Sequence, residues 1–297
     1  MADPRAAQGV DVVIVSYRCE ALLRACLGSL AARGPGRSLH LRVVDNASGD
    51  GTAEMVAREF GEVELLASDR NLGFSAANNL AIRRGSAPHV LVLNPDTRVA
   101  PGAIERLCEL LDERPEIGIC GPRLVREDGS LDHAARRSFP TPLSALGHFS
   151  GVGRHLGGGR LAAYRAPEIE SGPVDAVNGA FMLIRRAALE QVGLFDEGYW
   201  MYMEDLDLCL RFARAGWVTW YEPSVSVVHV KAGTSGQHRS FRLNRAFHYG
   251  MYRYYRTHLA AERNPLENAA VELAIAAKLG LSALRSALTR ALETPTP

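Results

Sequence analysis

The stretch from Pro88 to Thr97 reads Pro-His-Val-Leu-Val-Leu-Asn-Pro-Asp-Thr, and it constrains the fold more than any other. Val90 to Leu93 is an unbroken apolar run, partly β-branched, which suits a short strand buried on both faces. Pro95 cannot continue a central strand, so the chain turns there and delivers the Asp96 carboxylate to the strand's carboxyl end. In open α/β sheets ligands bind at that edge. Such an acidic turn either holds a divalent cation against a diphosphate, or it is a plain Asx-type turn with nothing bound.

The flanking sequence supplies the rest of a sheet. Val10–Ser16, Leu39–Val44, Val63–Ala67 and Ile117–Cys120 are strand-like. Helical patterns lie between them: Glu20–Ala32, a segment capped by Asp50 or Thr52, Phe74–Arg84, and a helix opened by Pro101. This alternation predicts an α/β fold with a mostly parallel central sheet, flanked by helices and built from right-handed crossovers. From Arg136 to Gly172 periodicity is lost, with Pro140, Pro142 and Gly157–Gly159 as breakers, and a loop of that length is expected to be functional or mobile. Val174–Arg185 then reads as one apolar strand containing Asn178-Gly179-Ala180, followed by a helix over Glu204–Ala215 and an extended segment from Trp217 to Val228 that ends at His229.

Composition narrows the class. The chain has 297 residues, 47% apolar and 23% charged, and a net charge of +1 that gives no general attraction to nucleic acid or membrane. Five scattered cysteines without Cys-x-x-Cys spacing argue for reduced thiols, and against a disulfide framework or a zinc site. Residues 1–9 are polar, are expected to be disordered, and do not read as a secretory signal. No apolar run approaches the roughly 20 residues that span a bilayer. A cytoplasmic protein is expected.

A second acidic cluster follows an aromatic and Met-rich run: Trp200-Met-Tyr-Met-Glu204-Asp205-Leu-Asp207. Carboxylates at a helix start favour its positive end. Partly buried, one of them gains proton affinity and can act as general base on a hydroxyl. Arg211 stands one helical turn beyond Asp207 and is expected to pair with it.

Taken together, Val-Ser-Tyr after the first strand, Val-Asp-Asn-Ala-Ser-Gly-Asp-Gly-Thr, Asn71-Leu-Gly-Phe-Ser-Ala-Ala-Asn-Asn, Asn-Pro-Asp, Asn178-Gly-Ala, Phe-Asp-Glu, Met-Glu-Asp-Leu-Asp and Val-His229-x-Lys resemble family 2 glycosyltransferases. The bacterial rhamnosyltransferase-like subgroup that assembles cell-surface glycans is the most similar. The resemblance runs in order from about Val10 to Gly236 and implies a GT-A fold, with a nucleotide-sugar half over 10–125 and an acceptor half over 126–236. Residues 237–297 form a helical C-terminal extension.

The resemblance implies roles. Ser16 and Tyr17 meet the nucleotide, and Asp45 accepts a hydrogen bond from the base, or otherwise caps a turn beside Ser48. Asn71, Gly73 and Asn79 belong to a segment closing over nucleotide and sugar, and Asn94 lies with them. Asp96 holds Mg²⁺ or Mn²⁺ against the diphosphate, with His229 as a second metal contact. Asn178, Gly179, Trp200 and Glu204 face the acceptor, and Asp205 is the general base. The reaction implied is an inverting transfer of one sugar, with dTDP-rhamnose as the subgroup's donor, to a glycan or polyprenyl-diphosphate-linked acceptor. The usual Asp-x-Asp is Asn94-Pro95-Asp96 here, one carboxylate short, as in the subgroup. The Gln-x-x-Arg-Trp motif of processive synthases is absent, which favours single transfer over polymerisation.

From Val230 to Ala261 there are six Lys or Arg and no acid, interleaved with aromatics. Leu243, Phe247, Met251 and Tyr254 share a helical face, with Arg242, Arg245, Arg253 and Arg256 around it. Leu266, Ala270, Leu273, Ala277, Leu281, Leu284, Leu288 and Leu292 then form a second stripe. Positions 239–292 either lie on the inner face of an anionic membrane, pack on the domain, or pair in a homodimer. Nucleic-acid binding is not expected, since the basic character is local. The rival readings are a sugar nucleotidyltransferase, which lacks its Gly-rich basic loop here, a non-catalytic sugar-nucleotide-binding scaffold, and a transferase acting on a small natural product.

Overall fold

The computed structural model describes residues 9–32, 36–140, 170–230 and 240–293. Gly157–Gly159, Lys231 and Arg239 lie outside these, as do the side chains of Leu288 and Leu292. Strands β1 (Val10–Ser16), β2 (Leu39–Asp45), β3 (Glu64–Ala67) and β4 (His89–Leu93) are joined by α1 (Glu20–Ala31), α2 (Thr52–Glu59) and α3 (Phe74–Ile82). All four are parallel, in the order β3-β2-β1-β4. Parallel neighbours begin at the same edge, so a crossover must return the chain each time, and a helix does so here. Ser16 is level with Asp45, and Ile14 with Leu93. The carboxyl ends of β1, β2 and β4 therefore share one edge.

The run that opened the sequence analysis is buried along its whole length. Leu91 and Leu93 enter a core with Leu23 and Leu27 of α1, while Val90 and Val92 enter the opposite core with Ala77 and Ala81 of α3. Burying each such side chain contributes about 1.5–3 kcal/mol, which fixes the strand centrally.

The chain continues through β5 (Thr97–Val99), α4 (Ala103–Glu113), β6 (Ile117–Val125), β7 (Arg136–Arg137), β8 (Gly172–Pro173), β9 (Ala176–Val177), β10 (Phe181–Arg185), α5 (Arg186–Val192), α6 (Glu204–Arg214) and β11 (Val218–His229). Helices α7 (Phe241–His258) and α8 (Pro265–Glu293) follow. The sheet extends from β4 through β10, β6 and β11 to β5. Its second half is mixed, because β10 runs antiparallel to both β4 and β6. β7 and β9 form a separate antiparallel ribbon.

Local expectations fail where glycine decides the geometry. Gly51, with φ 86, precedes α2 as its cap, although Asp50 Oδ1 does accept the Thr52 N–H at 3.2 Å. Gly102, with φ 77, precedes α4, so Pro101 sits in the turn before it. The single strand expected over Val174–Arg185 is broken at Asn178-Gly179-Ala180 into β9 and β10.

The C-terminal helices correct a larger expectation. On α7 the apolar face offered to a membrane packs inward: Phe247 meets the Tyr202 ring, Met251 joins the core, and Tyr254 is buried. Three of its arginines are engaged. Arg242 lies over the Trp200 ring at 4.2 Å, Arg253 forks onto Asp196, and Arg256 pairs with Glu272. On α8 the reverse holds, because the stripe stays exposed: Leu266 is 84% and Leu273 70% accessible, while Ile275 is buried.

Candidate active site

At the carboxyl edge of the parallel strands, Ser16 closes β1, its carbonyl accepting the Asn46 N–H at 2.8 Å and its Oγ lying 3.2 Å from Cys19 Sγ. Tyr17 follows, with the Arg18 guanidinium 5.3 Å from its ring centroid. Asp45 closes β2; it is buried, and its Oδ1 has no hydrogen-bond partner among the described residues. Ser48 Oγ is taken by the Arg18 N–H at 3.0 Å rather than by Asp45. A buried carboxylate oxygen with no protein donor costs free energy, which a ligand's N–H would relieve.

Asn46, not singled out from the sequence, stitches the next segment to this edge. Its Oδ1 accepts the Leu72 N–H at 2.7 Å, and its Nδ2 donates to Asn71 Oδ1 and the Gly73 carbonyl. Gly73 has φ 84, and a Cβ there would stand 2.3 Å from the Trp200 carbonyl oxygen. That same oxygen accepts the Phe74 N–H at 2.7 Å, so the segment is fastened to the Trp200 loop as well. Asn79 corrects an expectation: both ends of its amide are consumed by the turn at 195–197, through the Phe195 carbonyl and N–H and Glu197 Oε1. It ties α3 to the fold instead of facing a nucleotide.

Asp96 lies just past β4, 3% exposed, with His229 brought beside it by the β11–β5 pairing of His229 with Thr97. His229 Nε2 is 3.5 Å from Asp96 Oδ1, and its Nδ1 is 3.1 Å from Asp132 Oδ2. Burial alone would lower the imidazole's pKa, but Asp132 and Asp96 together raise it to about 9. Asp132 thus orients the ring as carboxylates orient metal-binding histidines. The pair could hold a divalent cation through one hard oxygen and one ring nitrogen, the cation displacing the proton from Nε2. Among the described residues no group of three or more His, Cys, Asp or Glu is arranged to hold a metal. Water or phosphate oxygens would complete the coordination.

The second cluster begins one hydrogen bond away, where the Asn94 N–H donates to the Ala180 carbonyl at 2.9 Å. Asn178 Oδ1 accepts the Ala180 N–H, shaping the turn, and the Gly179 N–H donates to Asp205 Oδ2 at 2.9 Å. Asp205 and Glu204 start α6, each 6% exposed. Two consecutive left-handed residues, Tyr202 (φ 72) and Met203 (φ 74), aim that helix start, and such strain in non-glycine residues is typically held at working sites. Trp200 is half-buried beneath Arg242.

The two carboxylates have different surroundings. Asp205 Oδ2 also accepts from the Arg137 guanidinium at 2.5 Å, and Oδ1 accepts the Leu206 N–H at 2.8 Å. Glu204 Oε2 has no partner among the described residues. Burial, then the negative charge of Asp205 beside it, push the Glu204 carboxyl well above the ordinary carboxylate range. Asp207 pairs with Arg211 at 2.8 Å as expected, and its other oxygen bonds His258 of α7 at 2.7 Å. Burial would raise the Asp207 pKa, but His258 and Arg211 hold it below its ordinary value. Asp207, with Arg214, which bonds the His258 ring and carbonyl, thus fixes α6 to α7.

Asn46, Asp132 and Arg137 were missed from the sequence. Asn46 adjoins Asp45 within a quoted motif, which was signal enough. Asp132 and Arg137 lie where no periodicity places them.

Comparison with known proteins agrees with this geometry. The profile described as "Glycosyl transferase family 2" matches residues 11–193. The chain is 35% identical over 246 residues to the N-acetylglucosaminyl-diphospho-decaprenol L-rhamnosyltransferase of Mycobacterium tuberculosis, covering 77% of this chain and 78% of that one. It is 26% identical to the rhamnosyltransferase WbbL of Escherichia coli K12, covering 74% and 83%. Among solved structures it is similar to the mannosyltransferase PcManGT from Pyrobaculum calidifontis, in complex with GDP-Man and Mn²⁺, at a TM-score of 0.60 and 17% identity, covering 95% of this chain and 79% of that one. With its central sheet, helical flanks and edge carboxylates, the chain belongs to glycosyl transferase family 2, as a glycosyltransferase similar to rhamnosyltransferases.

Proposed function

We propose that the protein transfers a single L-rhamnose from dTDP-rhamnose to a hydroxyl of a polyprenyl-diphosphate-linked glycan, with inversion at the anomeric carbon. The sugar and acceptor follow the 35%-identical rhamnosyltransferase, and the structural observation behind the transfer geometry is the bond between Asn94 and Ala180, which joins the turn bearing Asp96 to the turn holding Asp205. A donor bound along the first edge would present its anomeric carbon to the second.

Asp45 would accept from the base, and the segment Asn71–Gly73 would cover the nucleotide. Asp96 and His229 would hold Mg²⁺ or Mn²⁺ with the diphosphate, and the cation would neutralise charge on the departing nucleoside diphosphate. Asp205 takes the acceptor proton as the acceptor oxygen bonds the anomeric carbon and the bond from that carbon to the diphosphate oxygen breaks. Asn178, Gly179, Trp200 and Glu204 would orient the acceptor.

Among the described residues no helix is long and apolar enough to cross a membrane. For a lipid-linked acceptor the exposed α8 leucines would supply membrane-surface contact; pairing of that stripe in a homodimer is the competing use. Incubation with dTDP-rhamnose, other nucleotide sugars and a short polyprenyl-diphosphate acceptor, with Mg²⁺, Mn²⁺ or EDTA, tests the reading. Transfer from dTDP-rhamnose alone, lost in EDTA, is expected. Transfer from a different donor corrects the sugar, and donor binding without any transfer would favour the scaffold alternative.

A further inference from the structure

Arg137 comes from the β7–β9 ribbon outside the main sheet, far from α6 in sequence. Its guanidinium donates both to Asp205 Oδ2 and to the Val177 carbonyl, at 2.5 and 3.0 Å. The side chain is only 12% exposed. A buried ion pair adds little net stability, because desolvation offsets most of the attraction. Orientation is the better explanation.

A carboxylate offers two lone pairs on each oxygen. On Asp205, Oδ2 has both occupied, one by Arg137 and one by the Gly179 N–H. Oδ1 has one occupied, by the Leu206 N–H. Among the described residues, the remaining acceptor position is on Oδ1. Glu204 beside it has no comparable clamp, and its Oε2 is left without a partner among the described residues. The clamp therefore distinguishes one of two adjacent carboxylates and one of its two oxygens.

We infer that Arg137 is a positioning residue for sugar transfer, holding the Asp205 carboxylate so that Oδ1 receives the acceptor proton. This rests on Asp205 being the base. In the step itself the acceptor O–H bond breaks, the proton passes to Oδ1, and Arg137 and Gly179 hold Oδ2 throughout. Arg137 keeps its own proton.

Steady-state transfer by Arg137→Ala, Arg137→Lys and Asp205→Asn tests the assignment. Arg137→Ala should lose roughly 10- to 100-fold in kcat, the scale of a misplaced reacting group, while the donor KM stays within about twofold. Arg137→Lys should recover part of the loss, and guanidinium ion added to Arg137→Ala should recover part as well. If Arg137→Ala misfolds, Arg137→Gln, which keeps N–H donors and bulk, replaces it. A folded variant with wild-type kcat, or a loss that follows thermal stability and is not relieved by guanidinium or lysine, overturns the positioning role. Full turnover in Asp205→Asn would instead remove the base assignment beneath it. An inactive Asp205→Asn with a fully active Arg137→Ala would leave the base in place and remove only the role of Arg137.

Discussion

The two sides of the site are built by different means. On the donor side Ser16, Asp45 and Asp96 stand at or just past the ends of parallel strands whose register is set by the sheet itself. On the acceptor side Asp205 is held by groups from β7, from the turn between β9 and β10, and from its own helix start, after two left-handed residues. A strand end positions a carboxylate as a consequence of core packing. The acceptor side depends on specific polar bonds between segments distant in sequence, so small local changes there should alter chemistry more than stability. Gly73 and the Trp200 carbonyl form a seam between the two.

The largest expected effect that would sharpen this contrast is on the donor side. Asp96→Ala should lower kcat/KM by about 100-fold or more and abolish the metal dependence of donor binding, since the cation's stabilisation of the leaving group is lost. Calorimetric titration of donor with and without EDTA checks it, and metal-dependent binding that persists would mean Asp96 is not a ligand.

Next is the seam. Gly73→Ala adds a Cβ 2.3 Å from the Trp200 carbonyl oxygen at φ 84, and should cost about 2–4 kcal/mol along with most activity. Gly129→Ala, at φ 78 but with nothing within 4 Å, should cost clearly less. Equal melting points for the two would show that the contact between the halves is unimportant.

Glu204 supplies a pH signature for the acceptor side. Burial and the neighbouring Asp205 charge raise the Glu204 carboxyl above its ordinary value near 4.5, so the folded state binds an extra proton over a pH window that opens above that value. Stability therefore falls as pH rises through that window, by at most about 1.4 kcal/mol per unit. Glu204→Gln should flatten the fall, gaining more stability at pH 9 than at pH 5. Thermal melts across pH decide it, and parallel curves for variant and wild type would contradict the burial argument.

The smallest expected effect concerns neither edge. Leu266→Ser with Leu273→Ser should weaken flotation with anionic vesicles and leave transfer to a water-soluble acceptor unchanged. Unaltered flotation together with loss of a dimer in light scattering would reassign the stripe to self-association.

How far the sequence could be read follows the same division. The β4 run, the strand alternation and the places of Asp45 and Asp96 at strand ends were legible because apolar period and strand-end punctuation are local signals, whereas the roles offered for them and for Asp205 came from the family resemblance. The break at Asn178-Gly179-Ala180 was not, since its apolar flanks read as one strand and only the bond to Asp205 explains the turn. Arg137 and Asp132 act through partners far along the chain, which no pattern in their own segment records. On α7 an apolar stripe looked the same whether it covered a protein core or a membrane. Only the Tyr202, Asp196 and Trp200 contacts separate those outcomes.

The most direct test of the division between donor edge and acceptor base is Asp205→Asn, assayed for donor affinity and for transfer in the same preparation. The account predicts wild-type affinity for the nucleotide sugar, with transfer reduced by about 100-fold or more, the scale of a lost general base. Full transfer in the variant, or a collapse of donor binding alongside it, would contradict the account.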